Sequence, residues 1–167
     1  MSFEEVRVIT VVYLAVFLPL FIYFTNKSKL PNWIPTFYIV GVVVCALGWE
    51  LWFTYGWVDG HSVDIRRSEV LNTWLPKNLN WLMNSMGDAG AVLLGGVWLM
   101  WLTHRKDATI FKQWRWSAFT ILIFWCISQN ILVEMFLYHD QLADGKPLSW
   151  APMSPLGPYF NPCLLYT

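Results

Sequence analysis

Three acidic residues lie inside apolar stretches of this chain: Glu50, Asp88 and Glu134. An ionisable side chain costs at least about 2.5–3.5 kcal/mol near the centre of a membrane-spanning helix, so each of these acids suggests a function. Burial and like-charge repulsion both favour the neutral form of a carboxyl group. A cluster of such groups could therefore hold a proton and donate it, which is general acid chemistry. We predict that these three residues are catalytic.

Amide side chains recur beside two of the acids at every fourth position. One set is Asn80, Asn84 and Asp88, and the other is Asn130, Glu134 and Tyr138. Because residues four apart share a helix face, we expect both faces to point inward and Asn84 and Asn130 to orient the carboxyls. Polar residues in membrane helices also serve as hydrogen-bonding contacts between helices, at about 0.6 kcal/mol each, and this interpretation stays open.

The elements that must position these side chains are predicted to be membrane-spanning helices. Of the 167 residues, 56% are hydrophobic and 13% are charged, whereas soluble domains carry about 25% charged residues. The apolar runs predict an all-α, polytopic transmembrane bundle over residues 1–138. Its four spans are expected at about 8–24, 36–57, 80–103 and 117–138.

The segment 139–167 is rich in proline and aromatic residues. We interpret it either as a lid over the acidic cluster or as the start of a further span. The abrupt apolar end at Thr167 favours a fragment of a longer protein.

The three acids are predicted to lie at similar depths in the membrane. At 1.5 Å per residue, Glu50 lies about 10 Å, Asp88 about 12 Å and Glu134 about 6 Å from the same end of the predicted spans. We therefore expect a common polar chamber that opens toward the N-terminus and loop 58–79.

The charged residues of the connecting segments predict the orientation. One side carries six basic residues and one acid: Lys27, Lys29, Arg105, Lys106, Lys112 and Arg115 against Asp107. Basic residues in short loops mark the cytoplasmic side. Loop 104–116 is therefore predicted to be cytoplasmic, with the N-terminus and loop 58–79 on the opposite side. The net charge of zero argues against a nucleic-acid partner.

Aromatic side chains near the acids are candidates for ligand binding: Trp49, Trp52, Tyr55, Trp81 and Trp125. Because aromatic faces stabilise cations, an aromatic pocket beside a proton donor suits a carbocation intermediate. Simple packing is the more frequent role of such residues. Arg66 and Arg67 could hold an anionic ligand group, although an ordinary solvated loop would also explain them.

The sequence predicts neither a metal site nor a cofactor. The three histidines, His61, His104 and His139, lack the close spacing of histidine-rich metal centres. The cysteines Cys45, Cys126 and Cys163 show no zinc-binding or redox spacing.

The stretch CALGWEL, residues 45–51, resembles the integral-membrane terpene cyclases of fungal meroterpenoid and indole-diterpene pathways. In that family a similar Trp-Glu pair ends an apolar helix, and the Glu protonates an epoxide or an olefin. The resemblance implies that Glu50 is the acid and that Asp88 falls where members often carry an Asp. The family has more spans than this chain and a second acidic residue late in the sequence, whose role is unassigned here.

The leading hypothesis is an integral membrane protein that binds a large apolar, isoprenoid-like molecule and performs proton-initiated cyclisation or isomerisation. Glu50 would donate the proton, and Asp88 or Glu134 would tune it or take the proton back. One alternative is a non-catalytic accessory subunit that packs against partner subunits of a larger membrane complex. Another is a proton or solute pathway, for which buried acids are also typical.

Overall fold

The computed structural model describes residues 1–56 and 62–137. Within these ranges the side chains of Trp52, Val63, Arg66, Ala108 and residues 130–137 are not described. Every regular element in the described ranges is helical, so the all-α prediction is confirmed. The predicted lid or further span, 139–167, lies outside the described residues.

Helix α1, Phe3–Asn26, begins with a capping box. The backbone N–H of Glu5 donates to Ser2 Oγ at 3.2 Å, and the Ser2 N–H donates to the Glu5 carboxylate at 2.7 Å. These bonds satisfy amide groups that a helix start leaves without partners. The 24 residues extend the first predicted span at both ends, and they are followed by a short 3₁₀ turn, Lys27–Lys29.

The second predicted span is broken rather than continuous. Helix α2, Ile34–Leu47, ends at Gly48, and α3, Trp49–Tyr55, continues at an angle of 41° to it. A Cβ atom on Gly48 would lie 2.7 Å from the carbonyl oxygen of Val44, so the backbone path at this break excludes a side chain. The Tyr38 hydroxyl donates to the Met86 carbonyl at 3.3 Å and ties α2 to the next long helix.

Two short helices follow, α4 at Val63–Arg66 and α5 at Glu69–Trp74. Ser68 caps α5 by accepting from the Leu71 N–H at 3.2 Å. Leu71 and Leu75 are buried against Val8 and Val12 of α1. This apolar contact holds α5 against the first half of α1.

The third long helical stretch contains a change of helix type. Helix α6, Lys77–Asp88, passes into a π-helical segment, Ala89–Leu94, which continues as α7, Gly95–Thr103. Small residues let α1 approach this stretch closely, since a Cβ atom on Gly90 would lie 2.9 Å from the Ala15 carbonyl oxygen.

A tight connection leads to the last described helix. Arg105 and Lys106 adopt positive φ angles of 58° and 62°, and a 3₁₀ turn follows at Ala108–Phe111. Helix α8, Trp116–Leu137, is 22 residues long. It packs on the π segment, where Trp125 Nε1 donates to the Ala91 carbonyl at 2.8 Å.

Among the residues that the structure describes, two helical stretches, Phe3–Lys29 and Lys77–Thr103, are long and apolar enough to cross a membrane, and a third qualifies if α2 and α3 form one bent span. Large apolar side chains remain exposed on α1, α2 and α8. Examples are Leu14, Phe17, Phe21, Ile39, Val40, Val43, Phe124 and Ile127. Extended apolar surfaces of this kind are typical of contact with lipid or with partner helices. The membrane prediction is confirmed to the extent of two or three helices that could cross.

Candidate functional site: a carboxyl pair between α3 and α6

Glu50 lies in the first turn of α3, directly after the break at Gly48, and its residue surface is 5% exposed. The Asn84 side chain of α6 lies near its carboxyl group and interacts with it. The Oε2 atom is buried and has no hydrogen-bond partner among the described residues. A buried polar atom without a partner costs about 1–3 kcal/mol.

Asp88 is the last residue of α6, immediately before the π segment. Its Oδ2 atom accepts a hydrogen bond from Trp49 Nε1 at 2.6 Å. The Glu50 and Asp88 carboxyls are close enough to interact electrostatically, and the Cys45 side chain lies near both. Of the three acids predicted to share a chamber, the structure brings Glu50 and Asp88 near each other, and the Glu134 side chain lies outside the described residues.

An antiparallel register between α3 and α6 produces this pairing. Tyr55 at the end of α3 donates through its hydroxyl to Asn78 Oδ1 at 2.8 Å, near the start of α6. Glu50 is paired with Asn84, and Trp49 at the start of α3 reaches Asp88 at the end of α6. The polar face of α6 predicted from its four-residue spacing is therefore the face that meets α3.

Two further polar side chains are buried on these helices. Thr54 is 0% exposed and Asn80 is 1% exposed, and neither Thr54 Oγ1 nor Asn80 Nδ2 has a hydrogen-bond partner in the described part of the chain. Thr54 follows Glu50 by one helical turn, and Asn80 precedes Asn84 by one turn. Asn80 belongs to the polar face predicted for α6, whereas Thr54 was not predicted, although its four-residue spacing from Glu50 was the available signal.

The aromatic residues divide into two groups. Trp81 donates through Nε1 to the Ala46 carbonyl at 2.8 Å, and its ring lies 6.2 Å from that of Tyr55 in an edge-on arrangement. The rings of Trp49, Tyr55 and Trp81 therefore lie around the contact between α3 and α6. Trp125 bonds to Ala91 and contacts Gly95, so its place is the contact of α8 with the π segment and α7. Sequence spacing alone did not reveal that Trp49 is a hydrogen-bond donor to Asp88.

Arg67 is buried and binds backbone rather than the carboxyl pair. Its Nη2 atom donates to the carbonyl oxygens of Leu71 and Leu75, both at 2.6 Å. Burial lowers the pKa of the guanidinium to about 10, against the opposing effect of the Asp64 charge. These contacts hold Arg67 against the end of α5. Its predicted contact with an anionic ligand group stays a prediction.

Asp64 and Lys77 form an ion pair at 3.3 Å beside the site, with Lys77 Nζ 5.9 Å from the centre of the Tyr55 ring. A hydrogen bond from Ser62 is the main cause of the lowered pKa of Asp64, and the Asp64 backbone N–H and the contact with Lys77 lower this pKa further. Both partners are partly exposed, so the pair contributes little stability but connects α4 to the start of α6.

Several predicted site residues fall outside this geometry. The side chains of Trp52, Arg66, Asn130 and Glu134 are outside the described part of the structure, so their roles stay predictions. Within residues 1–56 and 62–137, no three His, Cys, Asp or Glu side chains form a group that could hold a metal ion.

Within the described residues, the fold and site define an all-helical architecture with two or three apolar helices of membrane-crossing length and a pair of neighbouring carboxyl side chains between α3 and α6. No family model, curated protein or solved structure matches this chain.

Proposed function

We propose that this chain is a multi-pass membrane protein in which Glu50 donates a proton to an apolar, isoprenoid-like molecule and starts its cyclisation or isomerisation. The four proposed spans are α1, the bent pair α2–α3, the stretch Lys77–Thr103, and α8. The length of α8, 22 residues or about 33 Å, supports its inclusion because it matches the hydrocarbon thickness of a bilayer.

The observation that carries the proposal is the unequal environment of two neighbouring carboxyls. Asp88 Oδ2 accepts from the Trp49 N–H, whereas Glu50 Oε2 is buried without a partner among the described residues. An oxygen with a donor is suited to carry charge, and an oxygen without one is suited to carry a proton. Pairs of carboxyls with different environments are a frequent arrangement for acid–base catalysis.

The proposed reaction is an isomerisation, so the product has the same mass and the same overall oxidation state as the substrate. The Glu50 carboxyl transfers its proton to a terminal double bond or an epoxide oxygen, and the π electrons of neighbouring double bonds close the rings. Asp88 then removes a proton from the carbon beside the final cation, which forms a double bond. This proton passes back from Asp88 to Glu50 and restores the acid for the next turnover. Trp49, Tyr55 and Trp81 would face the cation, because their ring faces attract positive charge. The similarity of residues 45–51 to membrane terpene cyclases supports the same role for Glu50.

The test uses membranes that contain the full chain, a farnesyl-derived terminal epoxide as the probe, and mass spectrometry of the products. We expect a product with the mass of the substrate and a different retention time. Glu50→Gln keeps the shape of the side chain and removes the acid, so turnover should fall by about 100-fold or more. The amount of folded protein should be unchanged.

Glu69→Gln is the matched control, since Glu69 is an exposed acid in the first turn of α5. Turnover by this variant should equal that of the unchanged protein. The proposal is wrong if no isomeric product forms, or if Glu50→Gln turns over normally. Loss of folded Glu50→Gln protein together with a bound partner would instead indicate an accessory subunit.

A second candidate function, a proton pathway, is favoured by the buried polar atoms of Thr54 and Asn80. They extend the polar face of Glu50 and Asn84 by one turn, as a path for protons between the helices would require. The measurement is acidification of vesicles that contain the purified chain and a pH-sensitive dye. A pathway predicts proton flux that Glu50→Gln abolishes, whereas catalysis alone predicts no flux in either protein.

A further inference from the structure

A groove lies at the end of the bundle opposite the N-terminus of α1. It has a volume of about 450 Å³ and forms where the connection after α1 meets the connection before α8. Ser28, Lys29 and Leu30 line one side, and Phe111 and Lys112 line the other. Two lysines from distant parts of the sequence therefore border one groove.

The groove has apolar walls that are fixed by packing. The Trp33 and Phe111 rings lie 5.8 Å apart at 83°, and both line the groove. Phe111 and Leu30 also pack against the cluster formed by Ile34, Leu94 and Val97. The walls are therefore continuous with the core that joins α2 to α7.

The surrounding charge is strongly positive. This end of the bundle, which we call the basic end, carries Lys27, Lys29, Arg105, Lys106, Lys112 and Arg115. Asp107 is the acid of these connections, and its carboxylate accepts from the Thr109 N–H at 2.9 Å and from the Thr109 hydroxyl at 2.5 Å. These two bonds are the main reason that the pKa of Asp107 is lowered, with smaller effects from Arg115 and Lys112. Lys29 and Lys112 form no ion pair within 4.0 Å in the described ranges.

The basic end also carries exposed tryptophans at the ends of apolar helices. Trp33 is next to the start of α2, and Trp114 and Trp116 are at the start of α8. Tryptophans in this position mark the boundary between hydrocarbon and head groups of a bilayer. The groove therefore lies at the level where a lipid phosphate would be found.

We propose that the groove binds the head group of an anionic phospholipid, with its phosphate between Lys29 and Lys112 and its glycerol and upper acyl carbons against Trp33 and Phe111. The charge complementarity and the apolar walls together favour a lipid over a soluble anion, because a soluble anion would use the lysines alone. Basic pockets between membrane helices are a recurrent type of site for anionic lipids. This site is independent of the proposed chemistry at Glu50, which lies at the contact between α3 and α6.

The experiment is native mass spectrometry of the full chain in detergent with dioleoylphosphatidylglycerol or dioleoylphosphatidylcholine. We expect at least several-fold more retained phosphatidylglycerol than phosphatidylcholine. The double variant Lys29→Gln/Lys112→Gln should lose about tenfold in affinity for phosphatidylglycerol, since each lysine near an anionic lipid contributes to binding. Its affinity for phosphatidylcholine should be unchanged.

The matched control is Lys27→Gln/Arg115→Gln, which removes two positive charges from the same end without changing the residues that line the groove. It should retain the preference for phosphatidylglycerol. Equal losses in the two double variants would show diffuse attraction and overturn the proposal. A second set of binding measurements uses inorganic phosphate as the ligand. If it binds at Lys29 and Lys112 while phosphatidylglycerol is not preferred, the site is for a soluble anion and the lipid proposal is wrong.

Discussion

Glu50 and Asp88 show how strongly one hydrogen bond can differentiate two neighbouring side chains of the same chemical type. The Trp49 indole reaches Asp88 across the contact between α3 and α6, although Trp49 directly precedes Glu50 in the chain. Trp49 is therefore a positioning residue for the carboxyl pair: it holds Asp88 in place and leaves Glu50 with the Asn84 side chain.

Replacing Trp49 by Phe tests this contact. The ring is kept in part, but Asp88 Oδ2 loses its donor at a partly exposed position. The free energy of unfolding should therefore fall by about 0.5–1.5 kcal/mol, the usual net contribution of one hydrogen bond. Unfolding in mixed micelles measures the change. A double-mutant cycle with Asp88→Ala separates the hydrogen bond from the loss of ring volume. Additive effects of the two substitutions would mean that the bond contributes nothing.

At the level of elements, two departures from α-helical geometry flank the site. The break at Gly48 turns α3 by 41° from α2 and places Trp49 and Glu50 in a new helical turn. The π segment Ala89–Leu94 begins directly after Asp88. Such π segments occur frequently at functional sites, and here each carboxyl lies next to one irregularity.

Substitution of Gly48 by Ala tests the break. The added Cβ would meet the Val44 carbonyl oxygen at 2.7 Å, and this backbone atom moves only if the helix end shifts. We expect a loss of about 1–3 kcal/mol in the free energy of unfolding.

The matched control is Gly41→Ala in α2, where the added methyl would meet the flexible end of the Leu93 side chain. Its effect should be smaller, because a side-chain tip can rotate away. A Gly48→Ala protein as stable as the unchanged chain would show that the break does not depend on glycine.

For the whole molecule, the two ends of the bundle differ in chemistry. The basic end joins the connection after α1 to the connection before α8 through the contact of Trp33 with Phe111. His104 Nε2 at the end of α7 lies 3.0 Å from Ser117 Oγ in the first turn of α8. The opposite end carries α4, α5 and the Asp64–Lys77 ion pair. The proposed orientation places the basic end in the cytoplasm.

Labelling of single cysteines tests that orientation. In a chain whose own cysteines are replaced by Ser, Ser28→Cys and Ser68→Cys place one thiol at each end. A membrane-impermeant thiol reagent added to sealed vesicles of known orientation should label Ser28→Cys from the cytoplasmic side and Ser68→Cys from the other side. Labelling of both positions from one side would contradict the proposed topology.

Some of this arrangement was predictable from local patterns. The apolar runs predicted an all-α protein with membrane-crossing helices, because hydrophobicity over about 20 residues is a strong signal. The four-residue spacing of Asn80, Asn84 and Asp88 predicted a polar face on α6, and that face meets α3. The positions of Glu134 and of segment 139–167 stay predictions.

The sequence by itself therefore determined the helical class, the polar face of α6 and the charge difference between the two ends, since each depends on residues near one another in the chain. The tertiary structure decided the break at Gly48, the hydrogen bond from Trp49 to Asp88 and the burial of Thr54. It also decided that Arg67 binds the end of α5 and that Lys29 and Lys112 border one groove. These features depend on which helix packs against which, and the periodicity of a single helix carries no information about its partner.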